Sequence, residues 1–218
     1  MKTENAPVVH LLHGAHYATL ATHSSQLPGY PYATAVPNVL DEQHRPVLLV
    51  SALAEHTRNL LQDPRASLAL AASSVTRIQN EERLTLVADA ERFEPVPELI
   101  QRYTRYEPDA ALYLTLDFMF FRLNPVRLRY IAGVGRMGWL DAGTLQDLPV
   151  VSLADETRLV ALAQQHAPPE LQVLGLDCFG LDYRMRGERR RCAWASGNTL
   201  EEQVLATVPQ IGQAQTDT

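Results

Sequence analysis

Short runs in which apolar and polar residues alternate recur through most of the chain, and such alternation marks half-buried strands. Tyr17 to Thr22 is the first run, small and β-branched. Tyr32 to Leu40 is the second, with Pro37 marking an edge or a bulge. Pro46 to Ser51, Ala66 to Ala72 and Arg83 to Phe93 follow, the last with Leu84, Leu86 and Ala88 on one face. Asp117 to Leu123 and Val126 to Val134 complete the set, and Trp139 and Leu140 close the block. Polar turns separate these runs: Ser24 to Gly29, Asp41 to Arg45 and Ser73 to Glu82.

Helical spacing is sparse in this region. Val8, Val9, Leu11 and Leu12 predict a short helix stopped at Gly14. His56 to Gln62 predicts a second, stopped by Asp63-Pro64, and Pro97 to Arg105 a third. Many short strands with turns at roughly eight- to twelve-residue spacing predict a β-barrel.

Gly143 to Pro149 has the composition of a linker, and the pattern changes after it. Asp155 can cap a helix running to about Ala167. Three strands follow, Leu171 to Asp177, Leu181 to Met185 and Arg189 to Trp194. Asn198 or Thr199 can cap a last helix, Leu200 to Val208, before a polar tail from Gln210. The expected fold class is therefore mainly β with α+β: a barrel over residues 1–148 and a small α+β domain over 149–218.

The stretch from Ser51 to Leu68 holds the candidate chemistry. It reads as strand, short helix, strand, a geometry that can hold an anion at the helix N-terminus. His56, Thr57, Arg58 and Asn59 add an imidazole, a hydroxyl, a fixed cation and an amide, a set suited to phosphate. The competing reading is a turn of helix that needs only a cap and solvated polar residues.

Composition narrows the function classes. Net charge is −6, which argues against general nucleic-acid binding. The arginines at 184, 186, 189, 190 and 191 flank Gly187 and read as a solvated hairpin face. The two cysteines, Cys178 and Cys192, match no metal motif and make no disulfide framework. No signal peptide and no membrane-length apolar run is visible, so a reduced, cytoplasmic setting is expected. His10, His13 and His16 are spaced by three, but Gly14 breaks their helix and no carboxylate or cysteine is near in sequence, so no metal site is expected there.

Several motifs together resemble the pyridoxine-phosphate-oxidase-like split barrels, in particular their haem-utilisation branch. They are Leu53-Ala54-Glu55-His56-Thr57-Arg58-Asn59-Leu60 with Asp63-Pro64-Arg65-Ala66-Ser67-Leu68, then Arg83-Leu84-Thr85. Asp117-Phe118 through Arg122-Leu123, Pro125 and Gly133-Val134-Gly135 continue the match. Gly29 to Thr34 and Leu176 to Leu181 extend it towards both ends.

The resemblance implies a homodimer of split β-barrels with the cofactor at the subunit interface. It implies an FMN phosphate against Ser51, His56, Thr57, Arg58 and Asn59, with Thr34 and Arg83 along the same groove. Haem-binding members use the same cleft and take an axial histidine from a C-terminal segment. Here Leu153 to Thr157, where short members carry it, has no histidine. His166 is the one histidine after Gly135; it reads as a helix-terminal residue and serves as a ligand only if haem binds.

The expected function is FMN binding, with flavin-dependent oxidoreductase chemistry. Haem binding or degradation is one alternative, and a cofactor-less binding module is another. No acid or base for a substrate stands out. The strand-borne Phe118, Phe120, Phe121 and Tyr130 are more than a small barrel can hide, which predicts an apolar dimer interface above about 2,000 Å².

Overall fold

The structure, a computed structural model, describes residues 5–71, 81–133, 136–141, 143–194 and 199–211. Most of the Ser73 to Glu82 loop, Val134-Gly135, the Asn198 cap and the end of the polar tail lie outside the described residues.

Eight strands form one curled antiparallel sheet. They are β1 (Tyr17–His23), β2 (Pro31–Pro37), β3 (Val39–Leu40), β4 (Pro46–Ser51), β5 (Arg65–Ala71), β6 (Arg83–Phe93), β7 (Phe118–Ile131) and β8 (Met137–Asp141). Their order is β2-β1-β5-β6-β7-β4-β3, with β8 paired to β7. Register explains why the sheet has one dry face. Leu20 lies opposite Leu68, Leu68 opposite Leu86, and Leu86 opposite Leu128, so four strands contribute one continuous leucine row. All four are fully buried. Each such side chain contributes about 1.5–3 kcal/mol on burial. The helix α1 (Asn5–Gly14) lays Val8, Val9, Leu11 and Leu12 into the same core.

A second sheet, of β9 (Leu171–Leu176), β10 (Gly180–Met185) and β11 (Glu188–Ala193), has the order β11-β10-β9. Around the two sheets lie α2 (Glu55–Gln62), α3 (Pro97–Tyr106), α4 (Ala110–Tyr113), α5 (Gly143–Gln146), α6 (Leu153–His166) and α7 (Leu200–Thr207). The whole is a split β-barrel followed by a small α+β unit, the expected fold class. No helix among the described residues is long and apolar enough to cross a membrane.

Several local expectations change. Asp117 to Leu123 and Val126 to Val134 merge into the single strand β7, because a register shift between Val87 and Ala88 accommodates Pro125. Conversely, the run Tyr32 to Leu40 splits at Asn38, whose side-chain amide donates to the carbonyls of Leu12 and Ala15. The linker-like stretch from Gly143 carries α5 and buries Leu145 and Leu148 in the barrel core. Helix α6 is capped by Ser152, whose Oγ accepts from the Asp155 N–H, so Asp155 is the third residue of the helix rather than its cap. Thr199 caps α7 in a reciprocal box with Glu202.

The surplus of strand aromatics also resolves. Phe120, Phe121 and Tyr130 are buried within the chain, and Phe118 stacks on Tyr113 at 4.7 Å between centroids. Phe120 packs edge-on against Tyr103 of α3, which the second sheet covers through Leu174. Phe121 and Tyr130 pack in the barrel core, and Phe118 and Phe120 join the cluster with Tyr103 and Leu174, so these rings find partners within the chain.

Candidate functional site

The Ser51 to Asn59 run folds into one turn at the start of α2, as the motif implied, but its side chains divide. Thr57 is buried and its hydroxyl donates to the Ser51 carbonyl at 2.7 Å. Asn59 is buried too; its amide donates to Thr22 Oγ1 at 3.0 Å and its Oδ1 accepts from the Ser25 N–H at 2.8 Å. Both spend their polar groups on fixing α2 to β1 and the following turn. Asn59→Ala is therefore expected to cost about 1–3 kcal/mol by stranding buried partners. Chemical denaturation measures this, and an unchanged midpoint would contradict it.

What remains for a ligand at α2 is smaller. No side chain caps the helix N-terminus. Arg58 is exposed and its guanidinium has no partner among the described residues. His56 is half-buried, and burial lowers its pKa. Ser51 is half-buried and its hydroxyl accepts from the Leu53 N–H at 3.2 Å.

Thr34 and Arg83 do not share a face. Thr34 lies opposite Leu20 and so belongs to the core-facing row. Arg83 lies opposite Ala71 and Ile131, in register with the outward row. Side chains alternate with period two, so adjacent motif positions on paired strands can end on opposite sides of a sheet. Within one chain, therefore, Thr34 and Arg83 lie on opposite faces of the sheet.

The outward face of β1, β5 and β6 carries two open grooves, one after the other along the strands. The first, of about 420 Å³, is lined by Tyr17, Thr19, Ala35, Ala69, Thr85 and Arg83 among others. The second, of about 520 Å³, is lined by Ala21, His23, Pro31, Ser67, Val87 and Val126, with Arg65 and Asp89 at its rim. Across the floor of the second, Ala21 faces Ser67 and Ser67 faces Val87. Ala21 and Ser67 leave the floor shallow, and Val87 gives it an exposed apolar side chain. His23 is the one histidine lining either groove. It ends β1, far from the C-terminal segment where the resemblance places a ligand, and no motif around it marks it in the sequence. Arg127 and Arg129, further along the same face, stack on Trp139 at 4.4 and 5.3 Å.

His166 lies exposed on the last turn of α6, its Nδ1–H donating to the Leu162 carbonyl at 3.0 Å, as a helix-terminal residue would.

A second constellation was not foreseen. His13, His44, Asp177 and Asp182 are buried together where α1, the β3–β4 turn and the small sheet meet. Arg191 Nη1 donates to Asp182 Oδ1 at 2.9 Å, and its Nη2 donates to both oxygens of Asp177 at 2.9 Å. Tyr106 Oη donates to Asp182 Oδ2 at 2.7 Å. Arg189 donates to the carbonyls of Asn38 at 2.9 Å and His13 at 2.7 Å. The hairpin arginines are thus not all solvated: Arg189 and Arg191 point inward and lock the second sheet to the barrel. Next to them Arg102 pairs with Glu156. Burial pushes the His13 pKa down to about 4 and lowers that of His44. For Asp182 burial acts upward, but Arg191 outweighs it and holds the carboxyl well below the usual range.

Fold and grooves together define a split-barrel protein with an open, small-residue sheet face able to take a flat ligand. Residues 6–132 match the pyridoxamine 5'-phosphate oxidase family, and the chain belongs to it. It is 34% identical over 126 residues to the chloroplastic haem oxygenase HOZ of Arabidopsis thaliana, covering 57% of this chain and 39% of HOZ. The chain thus spans about two fifths of that relative's length. Among solved structures it is similar to protein Atu2129, of unknown function, from Agrobacterium tumefaciens (TM-score 0.72, 27% identity, 93% of this chain and 94% of that one). It is also similar to a haem-binding protein from Mycobacterium smegmatis (TM-score 0.62, 27% identity, all of both chains). HOZ and the Mycobacterium protein fit the haem-utilisation branch that the motifs resemble.

Proposed function

We propose that this chain binds haem in the groove beneath His23, and that a second copy packed on the same sheet face completes the site. The observation that carries the reading is the groove itself. Its volume, about 520 Å³, falls within the range of about 300–1,000 Å³ usual for cofactor sites. Its floor of Ala21, Ser67 and Val87 suits a flat apolar ring. His23 supplies a nitrogen ligand; Arg65, paired with Asp63 at the groove, and Arg127, stacked on Trp139 on the same face, are the cations nearest for carboxylates. Haem bound there would supply a redox-active iron. The residues of the chain would position it and shield one of its faces. Exposed Val126, Met137 and Trp139 rim the sheet and suit a partner copy.

The test compares haem complexes of His23→Ala and His166→Ala. His23→Ala is expected to lose the histidine-ligated spectrum, while His166→Ala leaves it intact. The opposite pattern would move the ligand to the C-terminal segment and overturn the assignment.

A second reading is favoured by Arg58 alone. An exposed guanidinium without a partner, beside an uncapped helix N-terminus, fits the phosphate of FMN. Flavin held there would supply hydride or electron transfer; Arg58, His56 and the first N–H groups of α2 would hold its phosphate. Arg58→Ala is then expected to weaken FMN about ten- to a hundredfold, because a charge-assisted bond contributes about 1.5–3 kcal/mol. Riboflavin, which lacks the phosphate, should barely respond. Equal weakening of both would show that Arg58 holds no phosphate.

A further inference from the structure

The buried rings of His13 and His44 face each other in a way that the groove chemistry does not use. His13 Nε2 lies 2.9 Å from His44 Nδ1. The outer nitrogens meet only acceptors. His13 Nδ1 is 3.4 Å from Asp177 Oδ2 and 3.4 Å from Asp182 Oδ2, and His44 Nε2 is 3.5 Å from the Pro149 carbonyl. Each outer nitrogen therefore needs a proton. A neutral imidazole has one N–H and one lone pair. With both outer nitrogens protonated, the two inner nitrogens turn lone pairs towards each other. Three contacts ask for three protons, and two neutral rings supply two. A cation between the inner nitrogens removes the conflict.

Two cations can do so. An extra proton would put a net charge on two rings that are almost wholly buried. A metal ion takes both lone pairs without asking either ring to ionise. The outer contacts are those that orient metal-ligating histidines: the Asp182 carboxylate on His13 and the Pro149 carbonyl on His44. One nitrogen of each ring and one carboxylate oxygen of Asp177 lie within 4.8 Å of one another. Arg191 bonds both oxygens of Asp177, so one oxygen can ligate while the other keeps the guanidinium. Arg191 balances one of the two carboxylate charges, and Arg189 is directed at backbone carbonyls.

We propose that His13 Nε2, His44 Nδ1 and a carboxylate oxygen of Asp177 form a buried site for a divalent transition ion of the zinc class, with Asp182 positioning the His13 ring. Imidazole and carboxylate ligands suit such an ion, and the two nitrogens need part only by about 0.4 Å from their 2.9 Å separation to reach a tetrahedral edge. The three ligands come from α1, the β3–β4 turn and the β9–β10 turn, so the ion ties the small sheet to the barrel. His44 holds a left-handed backbone, φ 61°, unusual for a residue with a side chain, which aims its ring inward.

The test strips the full chain with a chelator in urea, refolds it, and titrates Zn²⁺ and Co²⁺. One ion per chain is expected, with Co²⁺ bands of a four-coordinate site. His44→Gln should weaken Zn²⁺ more than about a hundredfold, since even partners of the ligands cost 10–100-fold. His166→Ala should change nothing. Unchanged Zn²⁺ stoichiometry and affinity in His44→Gln would overturn the proposal. So would a stripped chain that takes up no ion. If His44→Gln does not fold, the Co²⁺ spectrum of the unsubstituted chain decides: bands of the hydrated ion alone would refute the site.

Discussion

Asp182→Ala is expected to destabilise the chain by about 3–5 kcal/mol, the usual cost of removing one partner from a buried ion pair. Asp182 is 0% exposed and sits mid-strand on β10. One oxygen accepts from Arg191 and the other from the Tyr106 hydroxyl. Alanine would leave a buried guanidinium with Asp177 as its one carboxylate beside the His10 ring, and would take the Asp182 acceptor from the Tyr106 phenol. Asp182→Asn keeps the shape and loses the charge, so its cost should be smaller, about 1–3 kcal/mol. Urea unfolding followed by both fluorescence and circular dichroism measures the difference. A loss below about 1 kcal/mol for the alanine variant would show that the network adds little. The pH dependence has a definite sign. The folded carboxyl is held below its unfolded pKa, so its stabilisation is complete at neutral pH. It is lost only as pH falls through and below the ordinary carboxylate range.

Ser67→Trp should abolish haem binding with little effect on the fold. Ser67 lies on the outward face of β5, between Ala21 and Val87 on the groove floor. An indole there stands in the groove and touches none of the leucine row behind it. Surface substitutions of this kind usually shift stability within about 0.5 kcal/mol. Haem affinity is expected to fall at least about a hundredfold, or about 2.7 kcal/mol. Sedimentation of the same variant reports whether the dimer is lost with the ligand, as a shared face requires. A variant that binds haem normally while remaining folded would place the ligand elsewhere.

The barrel was legible because its strands obey a local rule. Leu84, Leu86 and Ala88 alternate with polar residues, and the structure puts them in one buried row. Thr199 and Glu202 announced their cap at a fixed spacing. The merged β7 was not legible, since Pro125 breaks a strand locally and only the opposing shift at Val87 absorbs it. The α2 motif was found, but not the division of labour within it. Thr57 and Asn59 look like ligands in sequence, and only packing against β1 shows them spent on the fold.

The buried His13 network was the largest omission. Its members are separated by up to 181 residues, as between His10 and Arg191, so no window contains them. Two signals were nevertheless present. Asp182 interrupts an apolar strand between Leu181 and Tyr183, which a solvated hairpin would not need. Arg189 and Arg191 lie two apart and so share a face of β11, the face turned to the barrel.

Haem binding in the outward sheet groove can be read from one experiment. Its most direct test is a difference absorption titration of the purified chain with haemin. A Soret band shifted from that of free haemin, saturating at one haem per chain and absent in Ser67→Trp, is expected. An unshifted Soret band without saturation, or flavin bands in the protein as purified that haemin leaves unchanged, would contradict it.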